Sequence, residues 1–194
     1  MRGFFLLVIA LWTAMPAAAE VLTGKEAKRL LFSERGHKVL TSNNLTDVQR
    51  KIVRGIIPLM AEQLREPVRY YASIAFSPDD GMVHDSLQAA MNYHSFEASD
   101  RAAVKACNAL KSKAARNCEV AARVVPKRFK DRALMLSIDA TVGFKTTYLK
   151  AKAPKSFAIS ASAGNWGMGA DDAQALKNCE INGTPGDCRI VIRD

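Results

Sequence analysis

The feature that most constrains the fold of this chain is an apparent internal duplication marked by cysteines. Two pairs of segments can be superimposed in the same order: residues 73–81 (SIAFSPDDG) on 156–164 (SFAISASAG), and residues 95–107 on 167–179. Each second segment ends in a cysteine, Cys107 or Cys179, and the next cysteine starts a similar tail in both copies. The joint match of cysteines, turn glycines and their order predicts two copies of one small unit.

Each copy has the same predicted order of elements. Apolar segments at 70–77 and 157–160 predict a first strand, and each is closed by a glycine-containing turn. A second strand is predicted through Tyr93 or Trp166, followed by an Ala-rich helix with a Ser or Asp N-cap and by a last apolar strand. The predicted fold class is therefore α+β, with two strand–strand–helix–strand units and antiparallel sheet.

Four cysteines can pair in three ways, and the duplication selects one of them. It predicts the disulfides Cys107–Cys118 and Cys179–Cys188, each stapling one unit. A disulfide that closes a loop of this size is worth roughly 2–3 kcal/mol in the chain-entropy model. The spacings match no zinc or redox motif, so we predict no metal and no cofactor.

The first copy carries ten extra residues, 82–91, between its turn and the predicted second strand. They include His84 and Asp85, which follow the acidic pair Asp79 and Asp80. One interpretation is a small active site in which a histidine and carboxylates act as general acid and base. The simpler interpretation is a longer hairpin with Pro-Asp-Asp-Gly turn chemistry.

Residues 1–19 have the features of a signal peptide. Arg2 is followed by an apolar stretch over residues 4–12, and the small residues 17–19 predict cleavage after Ala19. The apolar stretch is shorter than the roughly 20 residues that a membrane-spanning helix needs. We therefore predict a periplasmic or secreted protein with no membrane span.

The remaining segments are predicted to be helical. Capping boxes begin helices at Thr23 and Thr46, and Pro58 is expected to kink or interrupt the second helix. A connecting helix is predicted between the units, with strand as the second choice because threonine and valine are frequent there. The predicted organisation is a signal peptide at 1–19, an N-terminal helical segment at 20–66, a first unit at 67–126, a connecting helix at 127–155 and a second unit at 156–194.

The chain is basic, with 28 Lys and Arg against 19 Asp and Glu and a formal net charge of +9. Its densest basic run comprises Arg123, Lys127, Arg128, Lys130 and Arg132. Such a run predicts contact with anionic components of the cell envelope through long-range attraction. No interleaved aromatic and basic motif accompanies it, so no specific nucleic-acid partner is predicted. The oligomeric state is not predictable from these patterns.

Several segments carry a family resemblance: SIAFSPDDG, NYHSFEASDRAAVKAC and NCEVAARVV in the first copy, and GKEAKRLLF and APKSFAIS elsewhere. They resemble a secreted bacterial domain of unknown function with paired cysteines, duplicated here. The whole chain is similar to a proteobacterial exported group whose members are often labelled 5-aminolevulinate synthase. The resemblance implies an exported, disulfide-stapled α+β protein and identifies no catalytic residue.

The synthase label implies a chemistry that this sequence does not support. That reaction uses pyridoxal phosphate held by a lysine as a Schiff base, and its coenzyme A thioester substrate is cytosolic. Here the chain carries a predicted export signal, and no lysine lies in a recognisable cofactor context. We predict a non-enzymatic binding or envelope-associated protein. The alternatives are a small exported enzyme at the first hairpin and, last, the synthase itself.

Overall fold

The computed structural model describes residues 20–65, 67–181 and 186–194; the predicted signal peptide lies outside them. The described chain has five helices: α1 (Gly24–Leu30), α2 (Asp47–Leu64), α3 (Phe96–Leu110), α4 (Ile138–Thr146) and α5 (Asp172–Glu180). Its strands are β1 (His37–Thr41), β2 (Ala72–Phe76), β3 (Gln88–Ala90), β4 (Glu119–Pro126), β5 (Ser156–Ser160), β6 (Trp166–Gly169) and β7 (Cys188–Arg193). They form a four-stranded and a three-stranded antiparallel sheet, which confirms the α+β class.

The first sheet has the strand order β1-β4-β2-β3 and is covered by a helix on each face. Val53 and Ile57 of α2 pack with the large side chains of one face, including Ile74. On the other face, Ala103 of α3 packs against Ala75. The period-two alternation of large and small residues along β2 thus separates a thick apolar layer from a thin, close-packed one.

The second sheet has the order β6-β5-β7 and the same layering. Phe157 faces α4 and the 3₁₀ turn Tyr148–Lys150, where it meets the rings of Phe144 and Tyr148 edge to face. Ala158 faces α5 and packs against Ala175. Residue Leu22 adds a short parallel bridge to β7, and α1 joins the aromatic side of this core.

Both units therefore contain strand, strand, helix and strand, and each is preceded by a helix that covers the opposite face. The disulfides Cys107–Cys118 and Cys179–Cys188 form as predicted and account for all four cysteines. Each joins the end of a helix, α3 or α5, to the beginning of the last strand or the residue before it. The staples lie on the thin, alanine-rich side of each sheet.

A second feature is common to the two units: a serine, an aspartate and an arginine that bond to one another. In the first unit Ser73 donates to Asp100, which also accepts from Arg123, the residue opposite Ser73 in the sheet. In the second unit Ser156 and Arg193, again opposite one another, both donate to Asp172.

The ladders agree in one further detail. Within each first strand, the pairing with the last strand shifts register one residue beyond the serine. The shift lies between Ile74 and Ala75 in β2 and between Phe157 and Ala158 in β5. The two units thus match residue by residue along their central strands.

Two strands differ from the predictions. β1 lies inside the segment predicted to be only helical and pairs with β4, from His37 opposite Pro126 to Thr41 opposite Ala122. It is a largely exposed edge strand, so it lacks the apolar pattern that identifies a half-buried strand.

The second strand of the first unit is β3, inside the predicted insertion, and Tyr93 lies outside it. Tyr93 instead exchanges two backbone hydrogen bonds with Tyr71, which precedes β2. The extra residues of this unit are consequently divided between the β2–β3 connection and the segment before α3.

The two helical predictions also need adjustment. α2 runs from Asp47 to Leu64, so Pro58 lies inside the helix and does not interrupt it. Between the units a helix does form, but only α4 and the 3₁₀ turn are helical; residues 127–137 have no regular structure. Among the described residues, no helix is long and apolar enough to cross a membrane.

His94 connects the two units. Its buried ring accepts a hydrogen bond at Nδ1 from the backbone N–H of Ser137, 3.1 Å away, so the proton is on Nε2. Nε2 donates to the backbone carbonyl of Asn165 in the second unit, at 2.8 Å. One side chain thus bridges the first unit, the N-cap of α4 and the β5–β6 turn.

Candidate functional site

A cavity of about 470 Å³ lies between the end of α1 and the end of β4. We call it the basic cavity. It is lined by Leu31, Phe32, Ser33, Arg35, Pro126, Lys127, Arg128 and Arg132. Half of these residues are cationic and none is acidic.

The pairing of β1 with β4 explains why two distant segments meet here. Because the strands are antiparallel and His37 lies opposite Pro126, the residues before β1 lie beside the residues after β4. The backbone N–H of Lys127 donates to the carbonyl of Gly36 at 3.3 Å, which extends this contact past the strand ends. Gly36 has a φ of +78°, a conformation that suits glycine. Arg35 is thereby brought next to Lys127 and Arg128.

Arg132 is held in place by the end of α1. Its Nη1 donates to the carbonyls of Leu30 and Leu31, which have no partner further along the helix. Its guanidinium lies over the ring of Phe32, 3.7 Å from the centroid, in a cation–π contact. This cation is therefore positioned before any ligand arrives.

The other three cations are not neutralised. Within the described chain, the side chains of Arg35, Lys127 and Arg128 have no hydrogen bond or ion pair. Glu34 is bound by Lys145 instead, at 2.7 Å. Burial by itself would raise the pKa of Glu34, but the hydrogen bond from Lys145, a backbone hydrogen bond and the charges of Lys145 and Arg35 together lower it. Uncompensated positive charge thus collects in the cavity.

Such a cavity can bind an anion and has little else to offer chemically. Arg and Lys provide charge-assisted hydrogen bonds to phosphate or carboxylate oxygens, and Phe32, Leu31 and Pro126 provide an apolar wall. The only hydroxyl in the lining is that of Ser33, which accepts a hydrogen bond from the backbone of Arg35. Among the described residues, no histidine, carboxylate or cysteine lines the cavity, so these residues form no acid–base pair there.

Three of the five residues in the predicted basic run line this cavity, namely Lys127, Arg128 and Arg132. Arg123 is directed elsewhere, because it pairs with Asp100 and its guanidinium lies 5.2 Å from the Phe96 ring centroid. Lys130 is exposed and does not line the cavity.

Arg35 was missed because it is distant in sequence from the basic run. Only recognition of β1 as a partner of β4 could have placed it beside Lys127.

The acidic pair of the first hairpin has a structural role. Asp79 accepts two hydrogen bonds from the Arg116 guanidinium, at 2.8 and 2.9 Å, and one from its backbone N–H. Asp80 accepts from the backbone N–H of Ser112 at 3.0 Å. Hydrogen bonds, first from Ser112 and then from Ser77, lower the pKa of Asp80 to about 2. Both carboxylates bind the loop between the cysteines of the first staple and remain ionised at neutral pH.

The other two hairpin candidates are not assembled as a catalytic pair. Nδ1 of His84 lies 3.0 Å from the hydroxyl of Ser86 and 4.0 Å from a carboxylate oxygen of Asp80. Asp85 is exposed, and its contact is made by its backbone carbonyl, which accepts from Gln88. Nowhere in the described ranges do three His, Cys, Asp or Glu side chains converge as metal ligands would.

Comparison of the chain with protein-family models, with curated proteins and with solved structures found no match. The resemblance to the secreted cysteine-paired domain therefore stays a prediction. The functional interpretation depends on the geometry of the basic cavity.

Proposed function

We propose that this chain is an exported, non-enzymatic binding protein that holds an anionic component of the cell envelope in the basic cavity. One observation carries the proposal: four cations converge on one cavity, and three of them form no salt bridge in the described chain. Cations that are held together without counter-charge repel one another, and an anionic ligand relieves that repulsion.

Export is supported by the disulfides and by the amino-terminal segment. Two structural disulfides persist in oxidising compartments and are rare in the cytosol. The predicted signal peptide would direct the chain to such a compartment. The matched serine, aspartate, arginine and cysteine positions support a duplicated stapled unit, as the sequence pattern and the proposed family suggest.

The cavity geometry favours modest affinity that depends on salt. Arg35, Lys127 and Arg128 are exposed, so water and ions screen them over about 8 Å at physiological ionic strength. Arg132 is half-buried and already ordered, so it loses little entropy on binding. We expect measurable binding at low salt and weaker binding at physiological salt.

Calorimetric titration with inorganic tripolyphosphate, at low and physiological salt, tests the proposal. The double variant K127Q/R128Q removes two cavity cations and should weaken binding at least about tenfold at low salt, since each charged contact is worth about 1 kcal/mol or more. The matched control is R101Q/K105Q, which removes the same charge from the exposed side of α3. Equal losses in the two variants would show only a general charge effect and would overturn the proposal.

A further inference from the structure

A second, smaller cavity of about 170 Å³ lies at the junction of the two units. It shares Arg132 with the basic cavity, so this residue is a common wall of both. Its other lining residues come from both units: His94, Ser95, Ala133, Met135, Ile159, Ser160, Ala161 and Arg189. We call it the junction cavity.

Arg189 contributes a further cation to the lining of the junction cavity. It is exposed on β7, and its side chain has no hydrogen bond or ion pair within the described residues. The carboxylate near this end, Asp187, accepts from the hydroxyls of Ser160 and Ser162 instead. Asp131, next to Arg132, is the other acid of this region and is exposed.

We infer that the ligand is a linear polyanion that enters the basic cavity, passes Arg132 and reaches Arg189, so that both units contact one chain. This inference rests on the proposed function and names the class of ligand. A single small anion would occupy the basic cavity alone and would give Arg189 no role.

The sizes of the cavities favour a chain over a compact ligand. Pockets that enclose a small molecule usually have about 300–1,000 Å³. Of the basic and junction cavities, the basic cavity lies in that range and the junction cavity lies below it. The junction cavity holds about one charged group, such as a phosphate of a longer chain. Arg132, fixed by the carbonyls at the end of α1, would contact the chain between the two.

The junction is also rigid enough to keep the two cavities in register. His94 donates to Asn165 across the units and accepts from Ser137, and both bonds are buried or half-buried. A preorganised track lowers the entropy lost on binding, which favours a ligand that touches several positions along it.

The experiment compares inorganic polyphosphate of three residues with chains of several tens of residues, using R189Q and the control K177Q. Lys177 is an exposed cation of α5 in the same unit, without a partner in the described chain. R189Q should weaken binding of the long chain about fivefold and leave tripolyphosphate unchanged. The slope of log affinity against log salt for the long chain should fall by about 1, as for the loss of one phosphate contact.

The outcomes separate this inference from the proposed function. If R189Q and K177Q bind the long chain equally well, the track is wrong, although K127Q/R128Q still weakens tripolyphosphate. If K127Q/R128Q matches R101Q/K105Q for both probes, the proposed function itself is wrong. Denaturation curves show whether R189Q is folded, and R189K, which retains the charge, should recover most of the long-chain affinity.

Discussion

The two units share a framework and differ in what is attached to it. Both have a central strand whose serine donates to a helix aspartate that also accepts from the arginine facing that serine, and both have a disulfide from the helix to the last strand. The first unit adds the edge strand β1, a longer β2–β3 connection and the segments that line the basic cavity. The last strands also differ in length. β4 continues past Arg123 to Pro126, whereas β7 ends at Arg193, the counterpart of Arg123.

This difference suggests that the residues that stabilise the fold and the residues that would bind a ligand lie in different parts of the molecule. The serine–aspartate–arginine networks and the disulfides, which both units have, are hydrogen-bonded or covalently bonded, as expected of positions that hold a small core together. Three cations that form no salt bridge in the described chain, Arg35, Lys127 and Arg128, come together where the first unit extends beyond the common framework. Under the proposed function, the shared parts stabilise the fold and the added parts carry the binding chemistry.

The largest expected change in the free energy of unfolding comes from substitutions in α4 and α2, the helices that cover the two sheets. A Cβ at Gly143 of α4 would lie 2.2 Å from the Trp166 ring, which stacks on Phe157. G143A should therefore lower the free energy of unfolding by about 3 kcal/mol through overpacking. The matched variant is G55A on α2, where no atom lies within 4 Å, and it should stabilise by about 0.5–1 kcal/mol. Urea unfolding measures both, and equal effects would contradict the close aromatic packing on α4.

The next effect concerns the connection between the units. Burial, with a contribution from Arg189, lowers the pKa of His94 to about 4, although the bond to Asn165 opposes this. The unfolded chain binds this proton near pH 6.5, so stability should fall as the pH is lowered through the interval from 6.5 to 4. The loss should be about 2 kcal/mol between pH 8 and pH 5, above the range in which most carboxylates titrate.

Urea unfolding of the original protein and of H94Q across this pH range checks the expectation. H94Q loses the bond from Ser137 and should be less stable at pH 8, but its stability should change little down to pH 5. Parallel pH profiles for the two proteins would contradict the role of His94 at the junction.

The elements with local signals were predictable. The capping boxes at Thr23 and Thr46 begin α1 and α2, and the alignment of the two copies identified both disulfides. The basic cavity was only half predictable, because Lys127, Arg128 and Arg132 are close in sequence whereas Arg35 joins them through a long-range strand pair.

The first unit's second strand was placed incorrectly for a similar reason. Tyr93 matches Trp166 in sequence, but sheet register places the short strand at Gln88–Ala90. Three half-buried residues that include two alanines give little apolar periodicity to detect.

The smallest expected change in the free energy of unfolding comes from the two serine–aspartate–arginine networks. The Asp100 side chain is 18% exposed and that of Asp172 is 40% exposed, so water screens the second network more. D100N should destabilise by about 1.5 kcal/mol and D172N by clearly less. D131N, at an exposed acid, should stay within about 0.5 kcal/mol of the original protein. A larger loss in D172N than in D100N would reverse the order that burial predicts.

The central claim is that a short anion such as tripolyphosphate binds at the extensions of the first unit and not on the common framework. Two-dimensional ¹H–¹⁵N NMR of the purified protein, titrated with tripolyphosphate at low salt, tests it most directly. The account predicts saturable shifts of the backbone amides in 32–36 and 127–132, with much smaller changes in 156–181. Shifts spread over exposed cations such as Arg101 and Lys105, or centred on α5 and β7, would contradict it.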